Sequence, residues 1–133
     1  MTRQGGCLCG QVRYEVTGDP LAVVLCHCTN CQKQSGSAFS INMIGVSDQI
    51  KLQGKLATYS DKSDSGDPVN RNFCQACGSP IYSEILAQDN LIALKVGSLD
   101  DPRGLEPQTQ VWCISKQDWL SLDTEMPALL RNR

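Results

Sequence analysis

The chain has 133 residues, with 12 Lys and Arg against 14 Asp and Glu, 5% aromatic residues and eight cysteines. That length suits one domain with a lean core, and a formal charge of -2, with basic residues scattered singly apart from Arg131 and Arg133, excludes the clustered cationic surface that a nucleic acid demands. No run approaches the roughly 18 apolar residues of a membrane span, and the start, Met1-Thr2-Arg3-Gln4, carries no apolar targeting segment, so a cytoplasmic protein without membrane association is the expectation.

The first motif in chain order is Gly6-Cys7-Leu8-Cys9-Gly10, where a C-x-C step at a strand start sends two thiols to one side. Val12, Tyr14 and Val16 then alternate with Arg13 and Glu15, the period of a half-buried strand. Gly18-Asp19-Pro20 is a turn, and Leu21 to Leu25 is an apolar run of strand length, as expected for a central strand covered on both faces. Next comes Cys26-His27-Cys28-Thr29-Asn30-Cys31. Cys26 and Cys28 leave the strand end toward one face, and His27, the chain's one histidine, points to the other, away from a metal held by the cysteines. Thr29 with Gln32 fits a capping box, which predicts a short helix with Thr29 as N-cap and Gly36 ending it. Cys31 then lies in the first turn, where backbone N–H groups favour a thiolate.

Phe39, Ile41 and Met43 alternate with Ser40 and Asn42, and Val69, Arg71 and Phe73 with Asn70 and Asn72, giving two further half-buried strands separated by a loop from Asp61 to Pro68. Cys74-Gln75-Ala76-Cys77-Gly78 has the form of a zinc knuckle, with the glycine relieving the turn. Leu91 to Val96 reads as another central strand with Lys95 its one interruption, and Asp100 to Gly104 as a loop. Cys113, in the apolar run Val111-Trp112-Cys113-Ile114, reads as a small buried residue, and Trp112, Trp119 and Leu120 as core. The sum is a mainly antiparallel β domain over residues 4–122, followed by a C-terminal tail, 123–133.

Seven of the eight cysteines thus fall in three tight clusters. A disulfide framework would need an oxidising compartment, and cysteines two apart are poorly placed to pair with each other. Metal-site spacing explains them better: structural zinc takes four ligands at about 2.3 Å, reactive zinc keeps three and an open position, and seven thiols divide as four plus three. Cys7 and Cys9 with Cys74 and Cys77 make the better closed site. The spacing alone also lets Cys7 and Cys9 serve the middle cluster.

These motifs, with Lys33 and Gly36 beside the middle cluster, Arg71-Asn72-Phe73 before the knuckle, Val96-Gly97-Ser98-Leu99-Asp100 and the late Trp112 and Trp119, resemble the glutathione-dependent formaldehyde-activating enzymes over about residues 4 to 122. The resemblance implies a β-tent fold of the Mss-four-like superfamily. It implies two zinc ions per chain: a structural one on Cys7, Cys9, Cys74 and Cys77 and a catalytic one on Cys26, Cys28 and Cys31. It also implies a carbon-sulfur lyase or synthase joining glutathione to formaldehyde as S-hydroxymethylglutathione. Three thiolates suit that chemistry, because they make zinc a weak activator of water and a good holder of a further thiolate. Glutathione carries two carboxylates, and Lys33 and Arg71 are the cations nearest in sequence to the ligands. Gln110 stands where many relatives carry His, and Gln32 where they often carry Arg, which leaves the ligands intact and bears on the substrate. Two other readings stand beside this one: thiol or aldehyde chemistry on another substrate, and a non-catalytic zinc-stapled binding module whose middle ion is closed by Cys113, His27 or a partner chain. The sequence does not set the oligomeric state.

Overall fold

A computed structural model of the chain describes residues 1–63, 65–122 and 125–132. The elements are β1 (Thr2–Gly6), β2 (Arg13–Thr17), β3 (Ala22–Cys26), α1 (Thr29–Ser35), β4 (Ser40–Val46), β5 (Ile50–Gln53), β6 (Leu56–Lys62), β7 (Pro68–Cys74), β8 (Pro80–Ile85), β9 (Leu91–Lys95) and β10 (Thr109–Val111). They build a three-stranded sheet, β1-β2-β5, and a seven-stranded sheet, β10-β3-β4-β9-β8-β7-β6. Every pairing is antiparallel except that of β10 with β3. The expected mainly β, mainly antiparallel architecture with one short helix is the one observed.

Period-two patterning explains how the sheets meet. Tyr14 and Val16 of β2, with Val12 just before it, pack against Met43, Ile81 and Leu94 of the larger sheet in one core. Met43, Ile81, Leu94 and Val12 have almost no exposed surface, and burying an aliphatic side chain of this size contributes about 1.5–3 kcal/mol. The two apolar runs became central strands, β3 between β10 and β4, and β9 between β4 and β8.

Strands β4 and β7 differ from their expected half-exposed form, whereas β9 is covered on both faces as expected. Register sets Lys95 opposite Asn42, and Ala93 opposite both Ile44 and Ser83; Arg71 lies opposite Ser83. Ser40, Asn42, Arg71, Ser83 and Lys95 are all buried, so these strands are covered on both faces. Helix α1 is tied to this side of the sheet by polar contacts: Asn30 Nδ2 donates to Asp61 Oδ2 at 3.0 Å and to Lys62 O at 2.9 Å, and Gln34 Oε1 accepts from Arg71 Nη1 at 3.2 Å.

Other local expectations need correction. Asp61 belongs to β6, which runs to Lys62, so the loop before β7 is shorter than the one read from Asp61. Cys7 and Cys9 sit in the turn after β1, not at a strand start. Trp119 is 71% exposed and is not core. Part of the segment expected as a tail runs beside β10: Gln110 N–H donates to Pro127 O at 2.9 Å, Leu129 N–H to Gln110 O at 2.8 Å and Trp112 N–H to Arg131 O at 3.0 Å. Asp123, Thr124 and Arg133 of that segment, and Asp64 of the loop before β7, lie outside the described residues. Among the described residues no helix is long and apolar enough to cross a membrane.

Candidate metal centres and the thiol site

The seven clustered cysteines gather into two groups. Cys7, Cys9, Cys74 and Cys77 have their Sγ atoms all within 4.8 Å of one another, and so do Cys26, Cys28 and Cys31. This resolves the ambiguity left by spacing, since Cys7 and Cys9 join the knuckle and not the middle cluster. The turn after β1 and the turn between β7 and β8 supply the first group, tying the amino-terminal hairpin to the large sheet.

Sulfur geometry tests whether zinc fits. Sγ–Sγ separations are 3.6 Å for Cys7–Cys9, 3.8 Å for Cys9–Cys74 and 3.4 Å for Cys31–Cys26. A zinc–sulfur bond of about 2.3 Å requires a tetrahedral edge of about 3.8 Å, whereas a disulfide needs about 2.05 Å. All eight cysteines are free. Backbone N–H groups also converge on the sulfurs, as they do when those sulfurs carry charge. Val12 N–H donates to Cys7 Sγ at 3.2 Å, Ala76 N–H to Cys74 Sγ at 3.4 Å and Cys31 N–H to Cys28 Sγ at 3.2 Å. Both groups could therefore hold a metal ion, and zinc fits them.

The three-cysteine group owes its shape to a strand end and a helix start. Cys26 closes β3, and Cys28, in extended backbone, is the N-cap of α1, its sulfur accepting from the Cys31 N–H. The expected N-cap was Thr29, one residue on. Sulfur takes the capping place because Cys28 must turn inward beside Cys26, which leaves Thr29 exposed in the first turn. Gly36 ends the helix as expected, with φ at 65° in the left-handed region that glycine adopts without strain. Gln32, freed from a capping role, donates to His27 O at 2.8 Å and Ser115 O at 3.0 Å.

His27 points away from the cysteines, as the alternation predicts: it is fully buried, with Nε2 3.0 Å from Gln110 Oε1 and its ring edge-on to Phe39. Neither His27 nor Cys113 belongs to either cysteine group. Gln110 and Gln32 are thus engaged inside the fold, Gln110 with His27 and Gln32 with the backbone. Val111 and Trp112 pack against Cys26, Cys28 and Cys31. Trp112 holds a φ of 58°, a conformation a bulky residue adopts only when its surroundings impose it.

Electrostatics within the group are uneven. The Cys31 thiol is held well below the usual range by hydrogen bonds from Cys26 and Cys28, with the Lys95 charge and Ser40 adding to them. Cys26, hydrogen-bonded to both neighbours and buried, is pushed up. In the other group the Ser79 hydroxyl and backbone pull Cys77 down to about 5.

Two cavities flank α1. One, of about 330 Å³, is lined by Asn30, Lys33, Gln34, Tyr59, Asp61, Arg71 and Phe73, so it brings the two candidate substrate cations together. Lys33 is exposed, whereas Arg71 is buried, its Nε donating to Asp61 Oδ2 at 2.8 Å. Burial opposes the charge on Arg71, but Asp61 and the nearby Cys31 outweigh it and raise its pKa. The other cavity, of about 680 Å³, has Cys7, Leu8, Ser40, Lys95, Gly97 and Ser98 in its wall, and none of Cys26, Cys28 and Cys31. Lys95 is a site residue that pattern reading left as an interruption. The signal was present, since a lysine inside a strand covered on both faces needs a partner.

Fold and site define a class, a two-sheet β domain carrying one four-cysteine and one three-cysteine group suited to metal. The chain belongs to the glutathione-dependent formaldehyde-activating enzyme family, whose pattern it matches over residues 2–115. It is also similar in fold to a Rhodobacter sphaeroides protein known from a crystal structure, at a TM-score of 0.59 and 18% identity over 95% of this chain and 98% of that one.

Proposed function

We propose that the chain joins a thiol to an aldehyde, with glutathione and formaldehyde as substrates and S-hydroxymethylglutathione as product, the reaction of a carbon-sulfur lyase run in its synthetic direction. The observation that carries this reading is the group of three buried cysteines, Cys26, Cys28 and Cys31, with no fourth Cys, His, Asp or Glu ligand gathered to it among the described residues. A zinc ion held by three thiolates supplies a position that keeps an incoming thiol ionised and nucleophilic near neutral pH.

The chain's own residues do the rest. Cys26, Cys28 and Cys31 hold the ion, and Trp112 and Val111 pack over them and exclude water. No histidine lines either cavity flanking α1, so the site offers no imidazole base, which suits a nucleophile that is already ionised. Lys33 and Arg71 bind the carboxylates of glutathione from the smaller cavity, Lys33 as an exposed charge and Arg71 through guanidinium donors not taken by Asp61 and Gln34. Cys7, Cys9, Cys74 and Cys77 hold a second, structural zinc.

The reading is tested by following S-hydroxymethylglutathione formation by NMR with labelled formaldehyde, alongside a panel of other thiols and aldehydes. Acceleration over the uncatalysed reaction with glutathione, lost in Cys28→Ser, is expected. A rate equal to the uncatalysed one for every pair contradicts it, and acceleration confined to another thiol would reassign the substrate.

A further inference from the structure

Lys95 is a buried ammonium that the reaction above does not use. It lies on a central strand with 7% of its surface exposed, and its Nζ donates to Asn42 Oδ1 at 3.0 Å. Asn42 is itself fixed, its Nδ2 donating to Ser40 Oγ at 2.9 Å. Asn42 is neutral, and among the described residues no carboxylate forms an ion pair with Lys95. A buried ammonium with one neutral acceptor is costly unless negative charge faces it. The other cation beside Cys31, Arg71, already has Asp61 as its counter-ion. What remains to face Lys95 is the three-cysteine group: register sets Cys26 opposite Ser40, whose hydroxyl accepts from the Asn42 that Lys95 donates to, and although burial and the Arg71 charge push the Lys95 pKa down, Cys31, Cys26 and Cys28 pull it back up. Ser40 and Lys95 also form part of the wall of the 680 Å³ cavity.

We propose that Lys95 is the fixed counter-charge of the Cys26, Cys28 and Cys31 group, and that it determines the group's preference for a fourth ligand that is an anionic sulfur. Three thiolates and a divalent ion leave one net negative charge, which would repel an incoming thiolate in a dry site. The Lys95 ammonium cancels that charge, so the thiolate meets a formally neutral centre. Lys95 is a positioning residue in this scheme and touches no reacting atom. The inference rests on the proposed function in one respect, that the incoming sulfur is the substrate's.

The test is a spectroscopic titration of cobalt-loaded protein with glutathione, mercaptoethanol and imidazole, in wild type, Lys95→Arg and Lys95→Met. The Met variant should bind both thiols about tenfold or more weakly and imidazole within about twofold of wild type, because only an anionic ligand depends on the counter-charge. The Arg variant should restore thiol binding. An equal loss for the two thiols separates Lys95 from cations that hold carboxylates, which a small thiol lacks. If wild type fails to respond to either thiol, the proposed function falls; if wild type responds and Lys95→Met binds thiols as tightly, the counter-charge falls alone. Lys95→Gln, which keeps a donor for Asn42 without the charge, covers a failure of the Met variant to take up cobalt. Loss of uptake in both neutral variants but not in Lys95→Arg bears the counter-charge out, and loss in all three overturns it, because shape and not charge would then be what matters.

Discussion

Among single side chains, the Arg71–Asp61 pair is where charge and architecture meet. It links β6 to β7, and Asn30 and Gln34 attach α1 to it from above, so it fixes the helix that carries Cys31. Asp61→Asn should cost about 2 kcal/mol, less than a fully buried pair because Asp61 is partly exposed. Burial works against the Asp61 charge, but Arg71, the Lys62 N–H and Asn30 outweigh it and hold its pKa below the usual carboxylate value. A carboxylate depressed in the folded state stabilises above its unfolded pKa, and that contribution is lost as pH falls through the folded one. Denaturant melts of wild type and Asp61→Asn should therefore differ at neutral pH and converge below about pH 4. A constant difference down to pH 2, well below that value, would show that the ion pair is not its source. Lys33→Ala should weaken glutathione and spare mercaptoethanol, since its charge is assigned to a carboxylate. The turn of His27 away from the cysteines was legible because it follows from local backbone direction, whereas spacing gave a four-plus-three split but only the fold brought Cys7 and Cys9 to Cys74 and Cys77. The lysine at 95 inside an apolar run signalled that a partner was needed, but which groups face it was not legible, since only the folded register brings Asn42 of β4 opposite it.

For the helix, the cap separates two local accounts of one short element. With Cys28 as N-cap, Thr29→Ala removes no capping bond and should change stability by less than about 0.5 kcal/mol, whereas loss of a true Thr cap costs about 1. Gly36→Ala should cost about 1 kcal/mol from backbone strain alone, because an added Cβ would meet nothing within 4 Å. Thermal melts of the two variants decide the matter, and a larger effect for Thr29→Ala would restore the capping-box reading. The helix was legible because capping and stop signals are local. Its start was misread by one residue because a sulfur is not an ordinary cap, and what turned it inward is Cys26. The strands at 50–53, 56–62 and 80–85 were missed: β5 alternates but is only four residues long, β6 is largely exposed with little alternation, and β8 opens on a proline directly after the cysteine knuckle.

For the molecule as a whole, the proposed function assigns one cysteine group to holding the fold and the other to chemistry. Cys74 is fully buried at the end of β7, where its group joins the small sheet's hairpin to the large sheet. Cys74→Ser should lower the melting temperature by about 10 °C or more, because a closed zinc contributes folding free energy that a lean core cannot replace. Cys28→Ser should melt within about 3 °C of wild type, since serine can still cap α1. Equal, large losses in both would erase the distinction. Elemental analysis should find two zinc ions per chain, and one or none would break the four-plus-three division. The most direct experiment loads the protein with cobalt and adds reduced glutathione or S-methylglutathione, which differ only in whether the sulfur can ionise. Glutathione should change the sulfur-to-metal absorption and bind far more tightly than its methylated form. Equal affinity, with no spectral response to either, would contradict the claim that the three-cysteine group receives the thiol.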